Sequence, residues 1–369
     1  MPLQLVPFTE REAPAVLAFN QRMAAARAPI DFLLPERAAD AAAGPAAALP
    51  RTQYLAVDQG VVRGGVALTE QPTWLNGRAV STFNYQAPLS EGIVDRRYGF
   101  VALHMLKHFQ RQSPLSFAVG MGGEQNALPR LLKALGWTIR PVPFLFRISK
   151  VRRVLAELAV LQRSPARQAL ARIGSASGTA WLGVRVCQAR SIAARWRARG
   201  ITIERASAWG AWADELWQPA AFPYSFAVMR DRRTLENLYP IDDGKMRVYV
   251  VRRGSSVVGW AACLVSDMHA HKDFGNLRVA TVLDCGAAVE CAGAVAVAAG
   301  DAMAREADLV ITNQSHASWV SAFRAAGFLP GPSNYLFATS PALTEGIRAG
   351  GGDAGVHVTR GDGDGRIHL

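Results

Sequence analysis

The amino-acid sequence predicts a mixed α/β protein of two similar domains in tandem. Three observations predict it: a length of 369 residues, an order of strand-like and helix-like segments that occurs twice, and a strongly basic joint between the two occurrences. The length exceeds what one ordinary core organises and suits two. Half of the residues are hydrophobic, which excludes a disordered or fibrous chain.

The first occurrence spans residues 1–148. Leu3 to Phe8 alternate like a short strand, and Glu10 to Arg27 carry apolar residues at helical spacing behind Thr9, a residue able to cap. Arg37 to Pro50, rich in Ala and containing Pro45, reads as a loop or loose helical turn. From Gln53 the segments QYLAV and VVRGGVAL flank a DQG turn, a hairpin pattern, and the strand AVSTFNY follows the turn LNGR. A helix is expected from about Tyr98 to Gln110, then the strand SFAVG. A second helix runs from about Ala127 to Leu135, is closed by Gly136, and leads into a strand pair within TIRPVPFLFRI. Each domain is thus expected to hold a mixed, mostly antiparallel sheet flanked by helices.

The same order returns over 200–345 with little residue identity. ITIERA opens it, and Trp209 to Trp217 and Arg232 to Leu238 are helical. RVYVVRRGSSVVGWAACLV matches the first hairpin, VATVLDC the next strand, and Gly293 to Ala307 the next helix. DLVIT, SWVSAFRAAGFLPGP and the closing strand NYLFAT complete it. Residues 149–199 form a basic helical linker with a GSASG turn at Gly174 to Gly178. The Gly/Asp-rich tail, 346–369, is expected to be flexible.

The net charge of +12 invites a polyanionic partner, but it is unevenly placed. Residues 1–146 hold 14 basic and 10 acidic residues, 147–205 hold 13 and 2, and 206–369 hold 14 and 17. The basicity belongs to the joint. Residues 185–199, RVCQARSIAARWRAR, carry Arg on most faces of a helix. Anionic lipid headgroups, the phosphates of a cofactor, a tRNA, or simple solvation of a linker helix all fit that pattern. Four irregularly spaced cysteines form neither a disulfide framework nor a metal site. The N-terminus lacks a signal-peptide pattern, and no apolar run reaches about 18 residues. A soluble cytoplasmic protein is expected.

Chemistry concentrates in VDRRYGFVALHMLKHF. Arg96, Arg97, Tyr98 and Gly99 lead into an amphipathic helix through Phe100 and Val101. A glycine at a helix start lets backbone N–H groups approach an anion. The helix dipole favours negative charge there, and arginine adds charge-assisted donors. A strand, the turn Arg96-x-x-Gly99-x-Val101, a helix, a strand and a helix ending Gly136-Trp137 occur in one order. This order resembles the GNAT acyltransferase superfamily, over 1–148 and more weakly over 200–341.

The resemblance implies two tandem GNAT-like domains. It also implies acetyl-CoA or another acyl-CoA as substrate, no metal, and direct acyl transfer to an amine or hydroxyl of a small-molecule, peptidyl or sugar acceptor. The pyrophosphate would lie on the backbone from Arg96 to Val101, with Asn126 as a further polar ligand and the pantetheine arm between AVSTFNY and SFAVG. Val101 departs from the usual Gly or Ala. Leu132 and Phe323 stand where many members carry a tyrosine general acid. Glu290 precedes Gly293 in the second half, where a carboxylate would repel a pyrophosphate, so that half is expected to have lost its CoA site.

A general base must take a proton from the acceptor. Glu91, Glu124 and Tyr85 are the first-half candidates, and Asp284, Asn313 and His316 their second-half counterparts, each weighed against plain surface solvation. His104 and His108, at i, i+4, lack a third ligand nearby in sequence. Trp209, Trp212 and Trp217 read as core. Two other functions stay open: a distant similarity to Fem-type aminoacyltransferases, with an aminoacyl-tRNA on the basic linker, and a non-catalytic binding or scaffold protein. Oligomerisation is left open.

Overall fold

In the computed structural model, which describes residues 3–28, 33–39, 49–159, 179–241 and 244–364, the turn residues act as read. Gln59 and Gly60 have φ of 50° and 78°, and Asn76 and Gly77 have 48° and 84°. Such left-handed pairs close two-residue hairpins whose twist matches the strands. They join β2 (Arg51–Asp58), β3 (Val61–Leu75) and β4 (Arg78–Ser90).

The chain forms two units. One comprises Met1–Pro141 and Asn334–Asp353, the other Val142–Ser333 and Ala354–Leu369. In the first, β1 (Gln4–Pro7) precedes helix α1 (Ala13–Ala25). Beyond β4 come helix α2 (Phe100–Gln112), β5 (Ser116–Val119), helix α3 (Ala127–Ala134) and β6 (Thr138–Pro141). The sheet order is β1-β2-β3-β4-β5-β15-β6, where β15 is Leu336–Thr339. Consecutive residues of β2 point to opposite faces. Leu55 packs with Val16, Phe19 and Met23 of α1, while Ala56 packs with Val101, Met105 and Phe109 of α2.

The second unit begins with β7 (Phe144–Ile148) and helices α4 (Val151–Glu157), α5 (Thr179–Cys187) and α6 (Arg190–Arg197). Then come β8 (Ile201–Arg205), α7 (Trp212–Ala221), β9 (Phe226–Val228), α8 (Arg232–Leu238), β10 (Met246–Arg253), β11 (Ser256–Asp267) and β12 (Arg278–Ala287). Helix α9 (Ala292–Glu306), β13 (Leu309–Asn313), α10 (Ala317–Ala325) and β14 (Leu329–Gly331) follow. The order β8-β10-β11-β12-β13-β7-β14 repeats that of the first sheet position for position. Along each of these seven-strand orders one neighbouring pair is parallel, β4 with β5 and β12 with β13, and the others are antiparallel. Val295, Ala299 and Met303 of α9 and Trp319 and Phe323 of α10 fill the core against Ala261, Cys263, Ala280 and Val282.

The domain boundaries drawn from sequence order do not follow these units, because each half contributes one strand to the other's sheet. TIRPVPFLFRI is not a self-paired closing hairpin. Its first strand, β6, pairs with β15, and its second, β7, pairs with β13 and β14. Pro141 and Pro143 lack N–H groups at the crossing, so no tight ladder between the two strands can form there. NYLFAT likewise closes the first sheet rather than the second.

Two further expectations change. The described part of the 149–199 linker is integral to the second unit: Ser191 is buried, and Asp301 of α9 pairs with Arg195 at 2.7 Å and Arg147 at 2.7 Å. Gly174 to Gly178 lie outside the described residues, as does most of the Ala-rich stretch before Pro50. The tail is packed through Asp362. Helix α11 (Pro341–Ala349) buries Leu343 and Ile347, β16 (Val356–His357) pairs with β9, and a short helical turn spans Gly361–Asp364.

Candidate functional site

In the N-terminal unit the parallel pairing of β4 and β5 is confined to Phe83 with Ser116 and Asn84 with Phe117. Past those pairs the strands part. A bulge sits on β4 between the pairs Gly65–Leu89 and Ala67–Gln86, and Ala87 within it has φ of 43°. Ala87 carries a Cβ in the left-handed region, so the bulge is a held feature rather than slack backbone.

Two one-turn 3-10 helices, Glu91–Ile93 and Arg96–Tyr98, then carry the chain into α2. Ser90 Oγ accepts from Gly92 N–H and Asp95 from Arg97 N–H. A Cβ at Gly92 would lie 2.7 Å from Gly99 Cα, so the two turns stack only because position 92 is glycine, whereas a Cβ at Gly99 would meet only Arg96 O, at 3.3 Å. Gly99 caps α2 with no side-chain hydrogen bond, which leaves the first-turn N–H groups to solvent or an anion. Arg96, Arg97, Gly99 and Phe100 are exposed there and Tyr98 is half-buried. Val101 contributes backbone alone, since its side chain lies wholly in the core.

The two arginines differ. Arg97 folds back on Asp95 in a 2.6 Å ion pair, and its hydrogen bonds hold the Asp95 carboxyl below its usual range. Among the described residues no ion pair engages the exposed Arg96, whose carbonyl accepts from Gly99 N–H at 3.1 Å. Behind the turn, Arg63, which the sequence reading missed, stacks on Tyr98 at 4.0 Å and pairs with Glu91 at 3.0 Å.

The three general-base candidates have separate partners. Glu91 is 5% exposed and bound by Arg22 at 3.1 Å as well as by Arg63. Burial raises its pKa, but hydrogen bonds from the two arginines outweigh that, and the net shift is downward. Such a carboxylate clamps α1 and β3 to the turn and is a poor proton acceptor. Glu91→Gln should therefore cost about 1–3 kcal/mol in urea unfolding, less than a fully buried pair because both arginines reach solvent. Lost turnover at unchanged stability would instead restore the base. Glu124 pairs with Lys133 at 2.6 Å, both half in solvent. Tyr85 lies in the α2-side core, 6.5 Å from the Trp137 ring, and burial pushes its phenol far above the usual range. Asn126 caps α3 and donates to Met121 O at 3.2 Å. Leu132 and Phe323 are fully buried.

The equivalent place in the C-terminal unit is filled. Strands β12 and β13 pair from Val279–Leu309 to Val282–Thr312 and then part, with a bulge opposite Ala262 and Cys263. The tail crosses this mouth: Gln314 bridges Thr359, Ser315 N–H donates to Val358 O at 2.9 Å, and Val358 N–H donates to Ser315 Oγ at 2.7 Å. Arg230, 2% exposed, ties the tail to β12 by donating to Asp284 at 3.0 Å and Asp362 at 2.9 Å. Asn313 accepts from Arg360 at 3.3 Å, and His316 caps α10 with its ring against Tyr224. Alongside lies a narrow pocket lined by Trp217, Tyr224, Trp260, Cys285 and His357. Burial pushes the Cys285 thiol well up and the His357 imidazole well down, so both are neutral and neither suits nucleophilic chemistry. Among the described residues no group of three or more His, Cys, Asp or Glu side chains is placed to hold a metal ion. None of their helices is long and apolar enough to cross a membrane.

No family model and no curated protein matches the chain. Solved structures do. A GCN5-related N-acetyltransferase from Anabaena variabilis aligns with a TM-score of 0.52 at 11% identity, over 91% of this chain and 72% of that one. The fold is that of the GNAT superfamily. A second GCN5-related N-acetyltransferase, from Kribbella flavida, aligns at 0.52 and 14% identity over 93% and 73% of the two chains. The N-myristoyltransferase of Saccharomyces cerevisiae, solved with myristoyl-CoA and inhibitors, aligns at 0.50 and 8% over 92% and 81%. The two sheets, with one strand order, are two GNAT-like domains in one chain.

Proposed function

We propose that the protein is an acyl-CoA-dependent acyltransferase whose N-terminal GNAT-like domain holds the thioester substrate. One contrast carries this reading: parted strands lead to an uncapped helix start in the N-terminal unit, whereas the equivalent strands in the C-terminal unit are crossed by the chain's own tail. The first-turn N–H groups of α2 and the Arg96 guanidinium suit a pyrophosphate, and the unpaired edge of β4 suits an extended pantetheine arm.

The acceptor nitrogen or oxygen attacks the thioester carbonyl directly. Its proton passes to water and the departing thiolate takes a proton from water, giving the acylated acceptor and free CoA. Leu132 supplies no acid and Glu91 is held by two arginines, so the gain comes from positioning and from the fixed dipoles of the turn.

Calorimetry with acetyl-CoA and longer acyl-CoAs tests this. Arg96→Glu should weaken binding roughly ten- to hundredfold, the worth of a charge-assisted contact. Arg97→Glu should weaken it less, because Asp95 already holds that guanidinium. If the wild type binds no acyl-CoA, the chain is a scaffold with a GNAT fold, the reading that Leu132 and Phe323 favour.

A further inference from the structure

Helices α5 and α6 run almost as one. Gln188 N–H donates to Val184 O at 2.9 Å and Ser191 N–H to Gln188 O at 3.0 Å, which carries helical bonding across the joint. At about 100° per residue the segment has two unlike faces. Val184, Gln188, Ser191, Ala194 and Ala198 face the protein. Gln188 Nε2 donates to Ile148 O at 3.2 Å, Ser191 lies against Gly327, and Ala194 and Ala198 pack on the core. Arg195 fixes the same side through Asp301.

The outward face is apolar. Trp181, Leu182, Val186, Ile192 and Trp196 are between 52% and 69% exposed. They are half of the ten large hydrophobic side chains that the described residues expose, gathered within 16 positions, so chance scatter does not explain them. Arg185 stacks on Trp181 at 5.1 Å and Arg199 on Trp196 at 5.4 Å. No Asp or Glu occurs between Glu157 and Glu204. Arginines beside interfacial tryptophans, an aliphatic strip and no acidic residue are complementary to an anionic, apolar-cored surface.

We propose that the outward face of residues 181–199 docks on an anionic lipid bilayer, with Trp181, Leu182, Val186, Ile192 and Trp196 entering the headgroup region and Arg185 and Arg199 meeting lipid phosphates. An RNA would use the arginines and stack on the tryptophans, but it gains nothing from exposed Leu182, Val186 and Ile192. The proposal does not depend on the chain's catalytic activity.

Cosedimentation of the full-length protein with vesicles of phosphatidylcholine, alone or with about a third phosphatidylglycerol, tests it. Binding to the anionic vesicles should be about tenfold or more tighter than to neutral ones, and salt should weaken it. Trp181→Ala/Trp196→Ala and Arg185→Glu/Arg199→Glu should each lower it about tenfold, with unchanged melting temperatures because all four side chains are on the surface. Absence of binding to anionic vesicles overturns the proposal, as does binding that either double variant leaves intact. A parallel titration with a single-stranded RNA completes the test. RNA binding lost in both double variants, without vesicle binding, assigns the face to nucleic acid instead.

Discussion

Arg230→Ala should remove about 3–5 kcal/mol from the stability of the C-terminal unit, the cost of stranding buried charge without its partner, against a typical total of about 5–15 kcal/mol. All three guanidinium nitrogens are engaged. Nε reaches both oxygens of Asp284, Nη2 both oxygens of Asp362, and Nη1 donates to Val228 O at 2.6 Å. Tyr239 Oη adds a bond to Asp284 at 3.1 Å. Without the cation two carboxylates remain in the core. Urea unfolding followed by circular dichroism reads the loss as a lower midpoint, and an unchanged midpoint would refute it.

One guanidinium between two carboxylates also gives a pH signature. Burial raises the Asp362 pKa more than Arg230 lowers it, leaving it at about 7, and Asp284 shifts the same way. The folded protein therefore keeps a proton that the unfolded chain releases at about 3.9. This contribution to stability is fully present below about pH 4 and fades as pH rises through 7. The stability difference between wild type and Asp362→Asn should change across that window and level off above about pH 8. A difference flat from pH 4 to 8 would contradict the shared proton.

Truncation after Asp353 should be as damaging, although the segment removed reads as a flexible tail. It takes away buried Val356, His357, Val358 and Thr359 together with Asp362. A loss of about 3–5 kcal/mol lowers the melting temperature of a unit this size by roughly 6–20 °C. A synthetic peptide of residues 354–369 should restore part of that when added in excess. A truncated protein that melts within a degree or two of the full chain would return the tail to the surface.

The tail shows where sequence reading loses its hold. Its Gly and Asp content hides the alternation of Val356, His357, Val358 and Thr359, and Asp362 meets Arg230 across 132 residues of sequence. Spacing does not reveal such a pairing. Local chemistry was readable: Asn76-Gly77 closes its turn because those residues tolerate positive φ, and Gly99 opens α2. The succession of strands and helices along both halves was readable too, from hydrophobic period and turn residues. What failed was partner choice, since β7 has the alternation of a strand in either sheet and only tertiary pairing assigns it. Glu91 failed for a related reason. An acidic residue at the end of a strand looks like a base until Arg22 and Arg63 arrive from 69 and 28 residues away.

The exchanged strands have a consequence for biosynthesis. The first six strands of the N-terminal sheet are synthesised by Pro141, yet the strand that joins β5 to β6 is Leu336–Thr339. Roughly 200 further residues must leave the ribosome first, on the order of ten to forty seconds at ordinary elongation rates. Throughout that interval β5 and β6 present unpaired edges, the feature most prone to pairing with the wrong chain. A nascent chain stalled in the second half should therefore hold an unfinished first domain and call on chaperones. Neither half of the gene encodes a sheet that can close on its own.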